Sequence, residues 1–545
     1  MIKIDNCHVV DVLSGEIIRD TSIIIEGNKI DEIGGDASCD TTIDGKGMFA
    51  LPGFIDPHGH LEVMYTPHNF SPAGVIHGTT CCISETHEFA NIFGAKGIDF
   101  LMSAGKQSMI RIFFTIGSIT PQIPEVEGPE KLSPKEIEEF MKRPEVVGLG
   151  EVISWPRVLK KDPVMSKKIE IAKKYGKTVE GHISGAKGDK IHLLAKAGIT
   201  SCHESITGEE ALIKLQEGLH VIIREGSIRR EMERIVPFLK NYPDYFDRIM
   251  LSPDWMDPRD ILKYGYMDHV VTRAIQMGFE PIITIQMATI NPARYFGLSN
   301  LGAIKEGYMA DILLVNDLKN PVPRYVILDG KILLEDSLLT IKPSSLEIPE
   351  TIQNSVSISP DLSERDFAFN PSNSMVPCIE IVNRTITKRI HVEVKNDNLP
   401  DRISVIRLID RWNGKKSPYG LVKGFDIEGF ASTFSQDCHN LIVIGRDPSA
   451  MARCANRVIE LGGGFVYYNE GDLIDLRMDV GGIASSKDME TLANSIEKFE
   501  APLRDVTGLE SPILTSGFLT FSSLPFFRMT ISGMYDVLKG EVIKL

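Results

Sequence analysis

His58 and His60, in Leu51-Pro-Gly-Phe-Ile-Asp-Pro-His-Gly-His-Leu-Glu62, are the first residues of the chain whose types and spacing suggest chemistry. On an extended backbone alternate side chains point the same way, so the two imidazoles can converge on one point. Alone, the pair fits two solvated loop histidines equally well. Further imidazoles and carboxylates follow short apolar runs along the chain: Glu85, His87 and Glu88, then Glu151, His182, His203 with Glu204, and Asp254. His58, His60, Glu151, His182, His203 and Asp254 together make a donor set suited to two divalent cations that share a bridging ligand. Zinc, manganese and iron all accept such ligands. Coordination lowers the pKa of water toward neutrality, so the predicted reaction class is metal-assisted hydrolysis.

The elements that would position these residues read as follows. Candidate strands fall at about 52–57, 78–84, 109–117, 146–150, 178–181, 199–202, 219–224 and 248–253, with helical patterns between most of them. Examples of the helices begin at Pro134, Lys190 and Glu209. Eight such units over roughly 250 residues match a (β/α)8 TIM-like barrel. Each polar residue above follows a strand, and in a barrel these ends open on one face, where barrel active sites lie. An open doubly wound sheet is the alternative, and it leaves the polar strand ends unexplained.

Residues 1–50 contain β-branched runs separated by the turn signals Ser14-Gly15, Gly27-Asn28, Gly34-Gly35 and Asp44-Gly45, which predict hairpins. The same texture returns at 303–345, so 1–50 and 303–345 are expected to form one composite β-sandwich domain flanking a barrel of residues 51–302. The Ser-, Pro- and Asn-rich stretch 346–370 reads as a linker or meandering connection into an additional C-terminal αβ domain, 346–545. In it, Asn440-Leu-Ile-Val-Ile-Gly and Phe465-Val-Tyr-Tyr read as strands, and Pro448 to Leu461 as a helix ended by Gly462.

Composition narrows the functional classes. The net charge is −15, with no basic stripe, which disfavours nucleic acid and anionic membranes as partners. The first residues carry no signal-peptide pattern and no apolar run approaches the ~18 residues of a membrane span, so a soluble cytoplasmic protein is expected. Eight cysteines are scattered without a CxxC pair, so they read as reduced thiols rather than zinc ligands.

Several residues admit two readings. Asp254 is placed to accept the nucleophile's proton, but Pro-Asp is also a common turn. Glu62 and Glu204 are otherwise solvated carboxylates. His87-Glu88 is either a helix start with a dipole-matched acid or a polar pair aimed at substrate or an extra metal. Arg224, Gly226 and Ser227 close the seventh strand as a turn or as substrate contacts. His68, His77, His192, His220 and His269 are assigned structural roles, with His77 a candidate partner behind a ligand.

The ordered set of motifs resembles the adenine deaminase family of the amidohydrolase superfamily along nearly the whole chain. Pro52 to Glu62 looks like the family's first motif, and His77-Gly-Thr-Thr with Thr86-His-Glu-Phe-Ala-Asn looks like its second. Gly148-Leu-Gly-Glu151, Gly181-His182, Cys202-His203-Glu204, Arg224-Glu-Gly-Ser, Met287-Ala-Thr-Ile-Asn-Pro-Ala-Arg and Gly307-Tyr-Met-Ala-Asp follow in order. Gln436-Asp-Cys-His-Asn and Leu461-Gly-Gly-Gly resemble the family's own extra domain. The resemblance implies hydrolytic conversion of adenine to hypoxanthine and ammonia in purine salvage. It also implies two divalent metal ions, manganese before iron or zinc, and a homo-oligomer, with a dimer favoured. Asp254, Glu62, Glu88 and Glu204 then compete for proton transfer and base recognition, and His87, Arg224, Gly226, Ser227 and Trp255 are the substrate-binding candidates.

The chain departs from the family pattern at three places. Trp255 stands where a second aspartate is usual, Val63-Met64-Tyr65 replaces a serine-rich run, and Glu85-Thr86 replaces Asp-Pro. These keep two alternatives open: the same chemistry on a modified purine or cyclic amide, and a catalytically silent, partner-binding paralogue. Asp437 to Asn440 is expected either to help close the pocket at the barrel mouth or to be a local turn.

Overall fold

The structure is a computed structural model, and it describes residues 1–370, 374–394 and 399–543. Residues 544 and 545, the end of the expected C-terminal region, lie outside the described residues.

Eight parallel strands carry the polar ends: β1 (Phe54–Gly59), β2 (Thr79–Ser84), β3 (Arg111–Ile116), β4 (Val146–Val152), β5 (Thr178–Gly181), β6 (Ser201–Cys202), β7 (His220–Arg224) and β8 (Ile249–Ser252). The first five pair in sequence order as one sheet and the last three as another. Between β5 and β6 the two are stitched by Thr200, whose N–H donates to Val179 O at 2.9 Å and whose carbonyl accepts the His220 N–H at 2.9 Å. Between β8 and β1, His60 N donates to Asp254 O at 3.0 Å. The result is a TIM-like barrel. Strands β1, β2, β4 and β8 are buried at every residue, as parallel strands covered on both faces must be, and this explains their lack of polar alternation. The helices begin with local signals. At Pro134–Met141, for example, Ser133 accepts the Glu136 N–H while Glu136 reaches back to the Ser133 N–H, a capping box that satisfies two orphan donors.

Strands from both ends of the barrel segment share a nine-stranded sheet, joined where Phe49–Pro52 pairs antiparallel with Ile312–Val315. Hairpins form at Ser14-Gly15 and Gly27-Asn28, as the turn signals predict. Asp44-Gly45 does not close one. Thr41–Asp44 and Phe49–Pro52 instead lie in tandem, both parallel to Ile2–Asp11. The reason is a close approach: Gly45 N and Gly47 N donate to Asp5 O and Asn6 O at 2.7 and 2.8 Å, so the turn hugs one strand and resumes beside it. Gly34-Gly35 likewise leads into a loop rather than back along its strand.

Beyond the barrel, an eight-stranded sheet spans Met375–Ile381 to Asp472–Arg477, with helix Pro448–Leu461 packed across it and ended by Gly462 in the left-handed region. Helices Met489–Thr507 and Pro512–Phe518 follow. The stretch 346–370 is a packed connection: Ile352 O accepts the Gly481 N–H at 3.1 Å and Ser357 N donates to Arg411 O at 2.8 Å. C-terminal residues also dock directly on the barrel mouth. Met64 N donates to Ile483 O and Ser485 N to Met64 O, each at 3.0 Å. Barrel and C-terminal side chains therefore belong to one hydrophobic cluster, which contains both Phe89 and Phe434. No helix among the described residues is long and apolar enough to cross a membrane.

Candidate metal centre

The pleat of β1 explains why His58 and His60 converge, and the turn after β8 brings a carboxylate to meet them. Asp254 Oδ1 lies 3.4 Å from His58 Nε2 and 3.4 Å from His60 Nε2. Asp254 adopts φ 65°, a left-handed conformation that aspartate tolerates better than most residues, and Ser252 Oγ accepts its N–H at 2.8 Å. At the end of β4, Glu151 faces two ways. Its Oε1 lies 3.3 Å from His60 Nε2, and its Oε2 lies 2.5 Å from His182 Nδ1 and 3.0 Å from His203 Nε2.

Two groups of donor atoms therefore form, His58 with His60 and Glu151, and Glu151 with His182 and His203, the atoms of each lying within 4.8 Å of one another. His58 Nε2 is buried without a hydrogen-bond partner, although Asp254 is near. A buried imidazole nitrogen left unpaired among converging carboxylates is suited to ligate a cation. The donor chemistry and the sharing of Glu151 fit two divalent ions, with Asp254 on the His58/His60 side.

A carboxylate stands behind three of the four imidazoles. Glu62 Oε1 lies 3.1 Å from His60 Nδ1, Glu85 Oε1 lies 3.5 Å from His58 Nδ1, and Glu204 Oε1 lies 3.6 Å from His182 Nε2. Such partners fix the ring orientation and the tautomer of a ligand. Glu85, named from the sequence as a strand-end carboxylate, is the one of these partners to which the sequence assigned no role. Its signal was its rank, since it directly follows β2. His77 does not stand behind a ligand; it pairs with Asp268 Oδ2 at 3.0 Å, away from the centre.

The electrostatics follow from burial and these pairings. Burial opposes a proton on His58, but Asp254 and the surrounding carboxylates outweigh it and lift the pKa to about 9. Burial and the neighbouring His58 push His203 down to about 4. Burial would raise Glu204, yet Arg224 overrides it and holds Glu204 at about 2. Burial acts likewise on Asp254, where the adjacent His58 imidazole and Arg224 hold the carboxyl well below its usual range. Arg224 is the hub. It donates to Glu204, to Asp254 Oδ2 at 3.0 Å and to Glu231 Oε1 and Oε2 at 3.2 and 3.3 Å, so each of its three nitrogens is engaged and the guanidinium is buried.

The centre opens into a cleft whose empty space, mouth included, is about 790 Å³. His60, Glu151, His182, His203, Asp254 and Arg224 form its floor, and Val63 and Trp255 are on its wall. Its roof is C-terminal: Phe434, Gln436, Asp437, Leu514, Phe518 and Phe521. His87 and Glu88, at the start of helix His87–Phe93, join floor to roof. His87 Nε2 lies 3.2 Å from Asp437 Oδ1, and Glu88 binds the side chains of Gln436 and His439. Asp437 to Asn440 thus packs at the barrel mouth.

Two of the substrate-binding candidates are placed otherwise. Gly226 and Ser227 do not line the cleft; their N–H groups donate to Arg229 O at 2.8 Å and Trp255 O at 3.0 Å. A Cβ on Gly226 would lie 1.9 Å from Pro253 O, so this glycine is the one residue that lets the β7 and β8 turns touch. Ser227 Oγ accepts the Asp257 N–H at 2.8 Å and donates to Asp260 Oδ2 at 2.6 Å, so it supports the same turn.

Two of the three departures from the family pattern, at Trp255 and at Val63 to Tyr65, form one patch. Trp255 Nε1 donates to Val63 O at 3.1 Å and Tyr65 OH to Met256 O at 3.0 Å. Only Val63 and Trp255 of these reach the cleft; Tyr65 is a core ring stacked on Phe70.

Residues 49–333 match the amidohydrolase family, and residues 382–541 match the adenine deaminase C-terminal domain. Among curated proteins, an adenine deaminase of Clostridium botulinum (strain 657 / Type Ba4) is 31% identical, the alignment covering 99% of this chain and 94% of that protein. One of Staphylothermus marinus is 32% identical over 100% of this chain and 95% of that protein. One of Thermosipho africanus is 32% identical over 100% of this chain and 96% of that protein.

Proposed function

The chain belongs to the adenine deaminase family of amidohydrolases, and from that premise we propose that it converts adenine and water to hypoxanthine and ammonia. The observation that carries this reading is Glu151, which offers one carboxylate oxygen to each of two imidazole-containing donor groups beneath a roofed cleft. His58, His60, Glu151 and Asp254 would hold one divalent cation and Glu151, His182 and His203 the other, with manganese first and iron or zinc as alternatives. When bound, the pair supplies Lewis acidity and a water-derived nucleophile near neutral pH.

The chain's own residues divide the remaining work. Of the four competing carboxylates, Glu62 and Glu204 each face an imidazole from behind, and Glu88 is engaged at both oxygens by the roof. Asp254 alone turns an oxygen toward the two β1 histidines while Arg224 keeps it ionised. Asp254 therefore accepts one proton of the attacking water and returns it to the departing amine; the carbon–nitrogen bond breaks, ammonia leaves, and the remaining hydroxyl hydrogen passes to the adjacent ring nitrogen as the carbonyl forms. Trp255 and the apolar roof exclude water and pack against the planar base. His87 and Arg224 act from one step away, His87 by holding Asp437 and Arg224 by aiming Asp254. Gly226 and Ser227 act by shaping the turn that carries it.

The same reading takes the barrel as 51–302, a flanking composite β domain as 1–50 with 303–345, and 346–545 as the C-terminal αβ domain. A role in purine salvage, a cytoplasmic location and a homodimer go with it. The acidic composition supports a small-molecule substrate rather than nucleic acid or an anionic membrane.

Manganese-loaded protein is expected to convert adenine with loss of its ultraviolet spectrum and one ammonia per base, at two metal equivalents per chain. An unchanged spectrum without ammonia sinks the reading, and a panel of N6-substituted purines and cyclic amides then tests the other substrate classes.

A further inference from the structure

Gln436 reaches the cleft from the roof with the two ends of its carboxamide already distinguished. Glu88 is fully buried, and although burial opposes its charge, His439 and His87 outweigh that and lower its pKa. An ionised carboxylate only accepts hydrogen bonds. Its Oε1 takes Gln436 Nε2 and its Oε2 takes His439 Nε2, so Gln436 must turn its NH2 toward Glu88. That leaves Oε1, together with the second N–H, for the cleft.

The backbone around it is fixed as well. Gln436 N donates to Gly517 O at 3.0 Å, and Gln436 O accepts from Thr520 Oγ1 at 3.1 Å. Two positions of the turn that follows, Asp437 and His439, sit at φ 65° and 45°, a left-handed region that aspartate and histidine enter more readily than most residues and that is often occupied at functional sites. The rest of the roof is apolar apart from Thr385 and Asp437, and Asp437 is spent on His87.

We propose that Gln436 reads the amino-bearing edge of the substrate: Oε1 accepts an N–H of the amino group, and the free N–H of the carboxamide donates to the adjacent ring nitrogen. This rests on adenine being the substrate and makes Gln436 the specificity-determining residue that separates substrate from product. A carboxamide is complementary to an adjacent donor and acceptor, the pattern by which glutamine selects adenine. In the product an oxygen replaces the amine and would meet Oε1 lone pair to lone pair. The amide cannot rotate to relieve this, because its carbonyl would then face Glu88. The lock thus favours binding of the amine and release of the oxo product.

The test compares KM for adenine with Ki for hypoxanthine as product inhibitor in the full-length manganese-loaded protein. Gln436→Met is expected to raise KM for adenine about 10- to 100-fold, with kcat changing less than about threefold and Ki for hypoxanthine unmoved or lower. Should Gln436→Met fail to fold, Glu88→Gln carries the same prediction: it frees the amide to rotate, so the KM-to-Ki ratio rises. A ratio within about twofold of the parent's, whether neither constant moves or both rise together, overturns the inference. Metal content and Tm are measured alongside each variant. Parent protein that releases no ammonia from adenine overturns the activity itself, whereas an active parent with an unmoved ratio overturns Gln436 alone.

Discussion

The floor and the roof of the cleft are built in opposite ways. Every floor ligand lies in the last residues of a barrel strand or just past its end, and the side chains are imidazoles and carboxylates that present defined atoms to one point. The roof draws Phe434 and Gln436 from a loop and Leu514, Phe518 and Phe521 from helix Pro512–Phe518 and the turn after it, about 80 residues further on. Its surface is apolar apart from a few polar side chains pinned by His87 and Glu88. Chemistry that needs fixed donor geometry is placed on rigid strand ends, while enclosure, which needs only area and shape, is left to a separate layer.

If this division holds, breaking the floor abolishes chemistry and breaking the roof weakens binding. The largest effect is expected at Glu151, which serves both donor groups. Glu151→Ala should lower kcat/KM by at least about 10³-fold and leave less than one metal equivalent per chain, read by elemental analysis of the same sample. Near-normal metal content in that variant would contradict a shared ligand. In the roof, Phe518→Ala should raise KM for adenine about tenfold while metal content stays at the parent's level. A matching fall in metal content would show that the roof and floor are one unit after all.

The smallest effect concerns the layer between them. Glu127 is buried beside the roof, and burial together with the nearby Asp437 lifts its pKa to about 8. A carboxyl whose folded pKa exceeds its unfolded value adds stability that is complete below about pH 4.5 and is lost as pH rises through about 8. Tm should therefore be lower at pH 9 than at pH 6 by about 1–2 °C for a chain of this size, and Glu127→Gln should flatten that difference. An equal slope in parent and variant would assign the pH dependence elsewhere.

The floor was legible in the sequence because period-2 spacing and rank after a strand are properties of the chain itself. His58, His60, Glu151, His182, His203 and Asp254 each stand at the end of a strand the apolar pattern marks. The positions of Glu62 and Glu204 were legible too, but their role was not. Whether a carboxylate faces a cation or the back of an imidazole depends on side-chain direction, and Glu62 turns to His60 Nδ1. Gly226 shows the same limit: the turn was visible, yet only the packed structure reveals that its missing side chain makes room for Pro253 O.

By itself the sequence determined the order of strands, the donor set and, through ordered motifs, the family. These rest on local propensity and on spacing along the chain, which need no partner. Tertiary structure alone decided three things: that Glu85 stands behind His58, that Trp255 and Val63 are one hydrogen-bonded wall, and that a loop near residue 436 closes a site begun at residue 58. Each of these joins residues through contacts that exist only once the C-terminal layer has docked on the barrel or the barrel has closed. No periodicity in the chain records which buried surfaces will meet.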